Sequence, residues 1–135
     1  MAYQVEVKIE FRAGHRLIEP YKGKCNNPHG EGYTAIFIVE TDTLDKNGMV
    51  MDFGALKKYL SAMIDEEFDH AYIHHVDDVV GKYLKEQGFK TFEMPCNPTA
   101  ENIAELLYLF ASVEGLKKVG VIESFSDSIA WYEKR

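Results

Sequence analysis

Four side chains able to bind a metal or transfer a proton lie in the first quarter of the chain. Cys25, His29 and Glu31 fall within seven residues, and His15 precedes Cys25 by ten positions. Two imidazoles and one carboxylate with an open coordination position are typical of catalytic zinc, and a similar triad also holds iron. The alternative is a set of independent polar residues at strand ends. A His15–His29–Glu31 metal site therefore requires the fold to bring the three together.

Cys25 is a separate candidate because its neighbours include Lys22 and Lys24. Nearby cations favour the thiolate, which makes Cys25 a candidate proton-transfer base or nucleophile. An inert loop thiol and a fourth metal ligand are the alternatives. The four-residue spacing between Cys25 and His29 does not separate these roles.

Asp69 and His70 form a second candidate acid–base unit. Successive side chains of a strand point to opposite faces, so a turn or a helix end is needed for this carboxylate to tune the imidazole. The alternative is a solvated polar patch before a helix. For His74 and His75 we favour the solvated polar patch.

Glu123 is a carboxylate on a predicted buried face, because it shares strand parity with Val119 and Val121. Burying a charge without partners is costly. Glu123 would accept two parallel N–H donors from a ligand, or it would form a salt bridge with Lys117 or Lys118.

Two strands must position the metal-site residues. Apolar residues alternate with polar ones in two segments: Tyr3, Val5, Val7, Ile9 and Phe11 in the first, and Tyr33, Ala35, Phe37 and Val39 in the second. The same parity places His15, His29 and Glu31 on the apolar faces. Residues 16–28 contain Pro20, Gly23 and Pro28 and indicate a loop. Antiparallel pairing would bring opposed Cβ atoms to about 4.5–5.5 Å, unless a bulge shifts the register.

The remaining elements predict an α+β fold. The sequence first predicts a turn at residues 45–48 and a short return strand at 49–51. Three helices follow, starting at Phe53, near residue 77 and after Thr99, and the last element is a hairpin of strands 118–125 and 129–132. Asp52 and Thr99 are the predicted N-caps, Gly88 and Gly115 the predicted helix ends, and Glu101 a favourable charge in the first turn. Strand pairs that flank helices favour an antiparallel sheet with helices on one face.

Composition excludes several classes of protein. The 135 residues predict one domain, residues 1–135, and no apolar run reaches the length of a membrane span. The net charge of −7 disfavours nucleic acid as a partner. Two cysteines make no disulfide framework, and the N-terminus lacks the features of a signal peptide, so we expect a cytoplasmic protein without membrane contact.

Taken in order, the motifs resemble the 6-pyruvoyl-tetrahydropterin and 6-carboxytetrahydropterin synthase family over nearly the whole chain. They are Phe11-x-Ala13-x-His15, Cys25-x-x-x-His29-Gly30, residues 48–53 (Gly-Met-Val-Met-Asp-Phe), Asp69-His70, Pro98-Thr99-x-Glu101-Asn102 and Glu123. The Cys-x-x-x-His spacing is more similar to the 6-carboxytetrahydropterin branch, because the pyruvoyl branch has a longer gap.

The resemblance implies a tunnelling fold in which the sheets of several subunits form a barrel. It implies a homo-oligomer, a hexamer built as a dimer of trimers, with active sites between subunits. It also implies one Zn²⁺ per subunit at His15, His29 and Glu31, catalytic roles for Cys25, Asp69 and His70, and pterin binding by Thr99, Glu101 and Glu123.

The implied activity is that of a lyase acting on 7,8-dihydroneopterin triphosphate in queuosine or archaeosine biosynthesis. Triphosphate and a two-carbon aldehyde would leave, giving 6-carboxy-5,6,7,8-tetrahydropterin. The alternatives are a 6-pyruvoyl-tetrahydropterin synthase and a pterin-binding paralogue without this chemistry. Arg12, Arg16, Lys22 and Lys24 are the nearest cations for the triphosphate, although Arg12 and Arg16 have the opposite strand parity to His15.

One residue departs from the family pattern. The pattern is His-Gly-His, whereas this chain has His29-Gly30-Glu31. Glutamate is a competent zinc ligand, but its negative charge is expected to weaken the metal as a Lewis acid. Another divalent metal is therefore the alternative to Zn²⁺ at this site.

Overall fold

The computed structural model describes residues 3–135 and shows a six-stranded sheet with three α-helices. The strands are β1 (Tyr3–His15), β2 (His29–Thr41), β3 (Tyr72–His75), β4 (Thr91–Met94), β5 (Leu116–Glu123) and β6 (Ala130–Glu133), and the helices are α1 (Phe53–Glu67), α2 (Val79–Glu86) and α3 (Ala100–Phe110). Their order across the sheet is β4-β3-β1-β2-β5-β6. The predicted α+β class is confirmed. Met1 and Ala2, part of the predicted domain, lie outside the described residues.

The long hairpin of β1 and β2 forms the centre of the sheet. Its antiparallel register runs unbroken from the pair Tyr3–Thr41 to the pair His15–His29. The alternating apolar residues are buried from Val7 to Phe11 in β1 and from Tyr33 to Val39 in β2, as their parity predicted. At the start of β1 the prediction fails, since Tyr3 is 44% exposed and Val5 is only partly buried. Helix α1 packs against β1, and α3 packs against β5 and β6, so the core lies between the sheet and the helices.

The predicted helix caps are present. Asp52 Oδ2 accepts a hydrogen bond from the backbone N–H of Ala55 at 2.8 Å, and Thr99 Oγ1 accepts one from Asn102 at 3.1 Å. Helix α3 ends at Phe110, earlier than predicted. Gly115, at φ 81°, instead forms the turn that leads into β5.

Two short strands were missing from the prediction, and one predicted strand does not form. β3 and β4 pair in parallel with each other, which makes the sheet mixed. Each has only four residues, too few to show an alternating pattern. Residues 49–51 form no strand, because the backbone of Met49 is hydrogen-bonded to Asp45 instead. The Met49 carbonyl accepts from the Asp45 N–H at 2.9 Å, and the Met49 N–H donates to Asp45 Oδ1 at 3.0 Å.

Helix α2 begins at Val79, two residues later than predicted, with Asp78 as its N-cap. Within residues 3–135, none of the helices combines the length and the apolar character needed to cross a membrane.

Candidate metal centre and the adjoining cavity

The hairpin register brings the three predicted metal ligands together. His15 is directly opposite His29, and Glu31 is opposite Ala13, the next residue of the same parity on β1. One ligand atom from each of His15, His29 and Glu31 lies within 4.8 Å of the others. The group can therefore hold a metal ion, which is the outcome that strand parity predicted.

Backbone carbonyls set the orientation of both imidazoles. His15 Nδ1 lies 2.8 Å from the carbonyl oxygen of Pro98, and His29 Nδ1 lies 2.7 Å from that of Asn27. A carbonyl only accepts, so each Nδ1 carries the proton that is donated. Each Nε2 therefore keeps its lone pair, the arrangement found for metal-bound histidines.

A buried nitrogen without a partner provides a test of whether a metal fits. The His15 side chain is 2% exposed, and its Nε2 has no hydrogen-bond partner among the described residues. Buried polar atoms are rarely left without a partner. Burial is also the main reason why the pKa of His15 is lowered, which favours the neutral, ligand-competent imidazole. These donors fit a divalent cation such as Zn²⁺.

The two carboxylate oxygens of Glu31 have different environments. Oε2 lies 3.1 Å from His29 Nε2 and 3.6 Å from His15 Nε2. Oε1 accepts a hydrogen bond from the hydroxyl of Ser124. Sequence reasoning did not single out Ser124, whose only signal was its position directly after Glu123.

A cavity of about 600 Å³ adjoins the metal-ligand group. Its lining includes six of the residues singled out from the sequence, namely His15, Cys25, Glu31, Thr99, Glu101 and Glu123. This volume is in the range of small-molecule sites, which is about 300–1,000 Å³. The cavity can therefore hold an organic ligand beside a bound metal.

Glu123 is half-buried, and its pKa is raised, first by burial and second by the charge of Glu31. The alternative for Glu123, a salt bridge to Lys117 or Lys118, is absent among the described residues. Lys117 Nζ lies 3.5 Å from Glu40 and 3.6 Å from Glu133, and Lys118 lies over the Trp131 ring. The carboxylate of Glu123 is thus available to a ligand.

Cys25 lies in a short 3₁₀ turn, Lys24–Asn26, at the edge of the cavity. The turn is attached to the end of β1 by the N–H of Leu17, which donates to the Cys25 carbonyl at 2.8 Å. Cys25 is not in the group of converging ligand atoms found in residues 3–135, so the fourth-ligand alternative has no support.

Asp69 and His70 are coupled but lie away from this cavity. His70 Nδ1 and Asp69 Oδ2 are 2.7 Å apart, and His70 adopts φ 62° in the turn that follows α1. Burial alone would raise the pKa of Asp69, but hydrogen bonds from the Arg12 backbone N–H and from His70 lower it overall. The pair lies along the β3 side of β1, whereas His29 and Glu31 lie on the β2 side.

Arg16 was a candidate for binding phosphate, and the structure places it in an internal ion pair instead. Its Nη1 lies 2.9 Å from Oδ1 of Asp78, which is fully buried. Its Nε donates to the carbonyl of Asn26 at 2.9 Å. Tyr72 donates to the other Asp78 oxygen at 2.8 Å. The charge of Arg16 is therefore neutralised inside the chain.

The solvated interpretation of His74 is wrong. Its side chain is fully buried on β3, stacked on the Tyr72 ring with centroids 5.9 Å apart. Gly81 of α2 covers the imidazole so closely that an added Cβ would lie 2.2 Å from His74 Cγ. Because the sequence did not predict β3, it did not predict the burial of His74 either.

Gly81→Ala is expected to lower the free energy of unfolding by about 1–3 kcal/mol, the usual range for overpacking. Alanine in an exposed helix interior would instead stabilise by up to about 1 kcal/mol. The sign of the change in urea denaturation decides between these effects. In a His74→Ala background the penalty should disappear, and a penalty that persists would contradict the contact.

A family model and individual relatives agree on one family for this chain. The 6-pyruvoyl tetrahydropterin synthase family model matches residues 4–135. The 6-carboxy-5,6,7,8-tetrahydropterin synthase of Rickettsia conorii is 46% identical over 99 residues, covering 72% of this chain and 71% of that protein. The 6-pyruvoyl tetrahydrobiopterin synthase of Homo sapiens is 30% identical over 134 residues, covering 88% and 79%.

The fold is shared with a solved structure of the same kind. The 6-pyruvoyl tetrahydropterin synthase of Caenorhabditis elegans superposes with a TM-score of 0.71 at 27% identity, covering 98% of this chain and 96% of that one. The family match spans all six strands and all three helices almost completely. The chain belongs to the 6-pyruvoyl tetrahydropterin synthase family.

Proposed function

We propose that the chain is a metal-dependent lyase that converts 7,8-dihydroneopterin triphosphate and one water molecule to 6-carboxy-5,6,7,8-tetrahydropterin, triphosphate and acetaldehyde. The observation that carries the proposal is the convergence of His15, His29 and Glu31 beside a cavity that also holds Cys25 and Glu123. Identity is higher to a 6-carboxytetrahydropterin synthase than to a 6-pyruvoyl synthase, at 46% against 30%, which favours the carboxy product.

His15, His29 and Glu31 would hold one Zn²⁺ per subunit through the two Nε2 atoms and Glu31 Oε2. When bound, the metal supplies Lewis-acid polarisation of the substrate's side-chain hydroxyls and makes the adjacent C–H and O–H bonds more acidic. Within the chain, Pro98 and Asn27 keep the imidazoles in the tautomer that binds.

Glu123 would hold the pterin ring. A carboxylate presents two acceptor oxygens, which match the 2-amino group and the N3–H of a pterin as two parallel, charge-assisted hydrogen bonds. Thr99 and Glu101 lie at the N-terminus of α3 on the same cavity and would line the bound ring. The ring would then lie with its side chain directed towards the metal ligands.

Cys25 would take a proton from the substrate side chain, with Asp69 and His70 as a second acid–base unit. The Asp69–His70 pair lies outside the cavity of its own chain, so we propose that a neighbouring subunit supplies it. This requires a homo-oligomer with active sites between subunits, and the family resemblance suggests a hexamer. A cytoplasmic role in queuosine or archaeosine biosynthesis would follow from the product.

The test is incubation of Zn²⁺-loaded protein with 7,8-dihydroneopterin triphosphate, with chelator-treated protein as the background control. We expect 6-carboxytetrahydropterin and acetaldehyde in equal amounts. A 6-pyruvoyl product without acetaldehyde would indicate the related synthase. Pterin binding without any product would overturn the lyase assignment and indicate a binding paralogue. This outcome is tested because Glu31 is expected to weaken the metal as a Lewis acid.

Glu123→Gln is expected to weaken pterin binding by about 10- to 100-fold, since hydrogen bonds to a charged group contribute about 1.5–3 kcal/mol each. Fluorescence titration with a tetrahydropterin that lacks the triphosphate measures the affinity without turnover. Glu114→Gln, at an exposed position outside the cavity, is the matched control. Equal affinities of the two variants would contradict the role of Glu123.

A further inference from the structure

We propose that Ser124 is a positioning residue that holds Glu31 as a one-oxygen metal ligand. The inference rests on the metal site of the proposed function and adds a residue to it.

The two carboxylate oxygens of Glu31 make different contacts. Oε2 faces both imidazole Nε2 atoms, at 3.1 Å from His29 and 3.6 Å from His15. Oε1 is turned to the Ser124 hydroxyl, which donates to it. A carboxylate with one oxygen already hydrogen-bonded presents the other alone to a metal, so it occupies one coordination position. Further positions then remain open for the substrate.

The backbone of Ser124 explains how its hydroxyl reaches Glu31. β5 ends at Glu123, which is paired with Tyr33 of β2. The next residue, Ser124, has φ 50° and donates its N–H to the carbonyl of Gly32 at 2.6 Å. This left-handed conformation is unfavourable for residues other than glycine. Ser124 occupies the position nonetheless and spans from β5 to the residue beside Glu31.

Glutamate needs such a partner more than histidine does. Its long, flexible side chain loses much rotamer freedom when it is held in one geometry. His15 and His29 are each held by a backbone carbonyl, at 2.8 and 2.7 Å. Ser124 supplies the equivalent contact to the third ligand. Loss of such an outer contact commonly weakens metal affinity by about 10- to 100-fold.

The experiment measures Zn²⁺ affinity by competition with a chromogenic chelator, at fixed pH and protein concentration, on Ser124→Ala and Ser124→Gly. Both variants lack the hydroxyl, but glycine also relieves the positive φ. We expect both to bind Zn²⁺ about 10- to 100-fold more weakly than the parent. Ser126→Ala is the matched control, because the Ser126 hydroxyl accepts from the N–H of Ser128 in the same loop. Its affinity should equal that of the parent.

A second background separates positioning from general damage to the loop. With Glu31→His, the side chain at position 31 no longer has the oxygen to which Ser124 donates. Adding Ser124→Ala should then leave Zn²⁺ affinity unchanged. An equal loss in both backgrounds would overturn the inference, as would a Ser124→Gly variant that binds like the parent.

The inference and the proposed function fail in different ways. A parent protein that binds no stoichiometric Zn²⁺ overturns the proposed metal site and this inference together. A parent that binds Zn²⁺, with unchanged affinity in Ser124→Ala, overturns the role of Ser124 and leaves the metal site standing.

Discussion

Cys25→Ser is expected to lower kcat by about 10²- to 10⁴-fold, the usual contribution of a positioned acid or base. Cys25 lines the same cavity as His15, Glu31 and Glu123, but it is not part of the group of converging ligand atoms. Zn²⁺ stoichiometry and pterin affinity should therefore stay at parental values. Single-turnover measurement of product, with metal analysis of the same sample, separates these effects.

The same variant also tests the proposed subunit interface. His70→Ala should lower kcat too if the Asp69–His70 pair is the second proton-transfer unit, as proposed above. If neighbouring subunits share a site, oligomers reassembled from a mixture of Cys25→Ser and His70→Ala chains contain some sites with both residues intact. Partial recovery of turnover is then expected. No recovery in mixtures shown to contain both chains would contradict a shared site, and loss of Zn²⁺ from Cys25→Ser would contradict the assigned role of Cys25.

Asp78→Ala is expected to lower the free energy of unfolding by about 3–5 kcal/mol, the usual cost of removing one partner from a buried ion pair. The substitution leaves Arg16 without its counter-ion and the Tyr72 hydroxyl without its acceptor. It also removes the N-cap of α2, where Asp78 accepts from Val80 N at 3.0 Å. Urea denaturation at a fixed protein concentration measures the loss.

The adjacent residue provides a close control for this prediction. The Asp77 side chain is 74% exposed, so Asp77→Ala should change stability by no more than about 0.5 kcal/mol. Asp78→Asn keeps one acceptor oxygen and the cap, and it should fall between the two. Equal stability of the Asp77 and Asp78 variants would show that the Arg16–Asp78 contact contributes little. All variants must be compared at the same protein concentration, because the stability of an oligomer depends on the concentration of its subunits.

The ion pair also bears on the site, because Arg16 connects two parts of the chain. It donates to Asn26 in the turn that carries Cys25 and pairs with Asp78 at the start of α2. The Asn26 side chain in turn donates to the carbonyl of Leu17 at 3.0 Å. Arg16 thus supports the loop of Cys25, a task that leaves its charge unavailable to a phosphate group.

Strand parity determined the central part of the site from the sequence alone. The alternation in residues 3–11 and 33–39 places His15, His29 and Glu31 on one face, and the two-residue period of a strand leaves no other arrangement in an unbroken hairpin. The same argument placed Glu123 beside Val119 and Val121. The caps Asp52 and Thr99 were equally readable, because a cap bonds to residues only two or three positions away.

Only the tertiary structure decided which contacts surround those residues. Pro98 holds His15 across 83 positions, Ser124 holds Glu31 across 93, and Asp78 neutralises Arg16 across 62. No local periodicity encodes contacts of such separation, since they depend on how β3, α2 and β5 are arranged around the hairpin. The positive φ of His70 and of Ser124 likewise comes from that packing. The sequence thus identified the candidate metal ligands, and the assembled sheet set how their side chains are held.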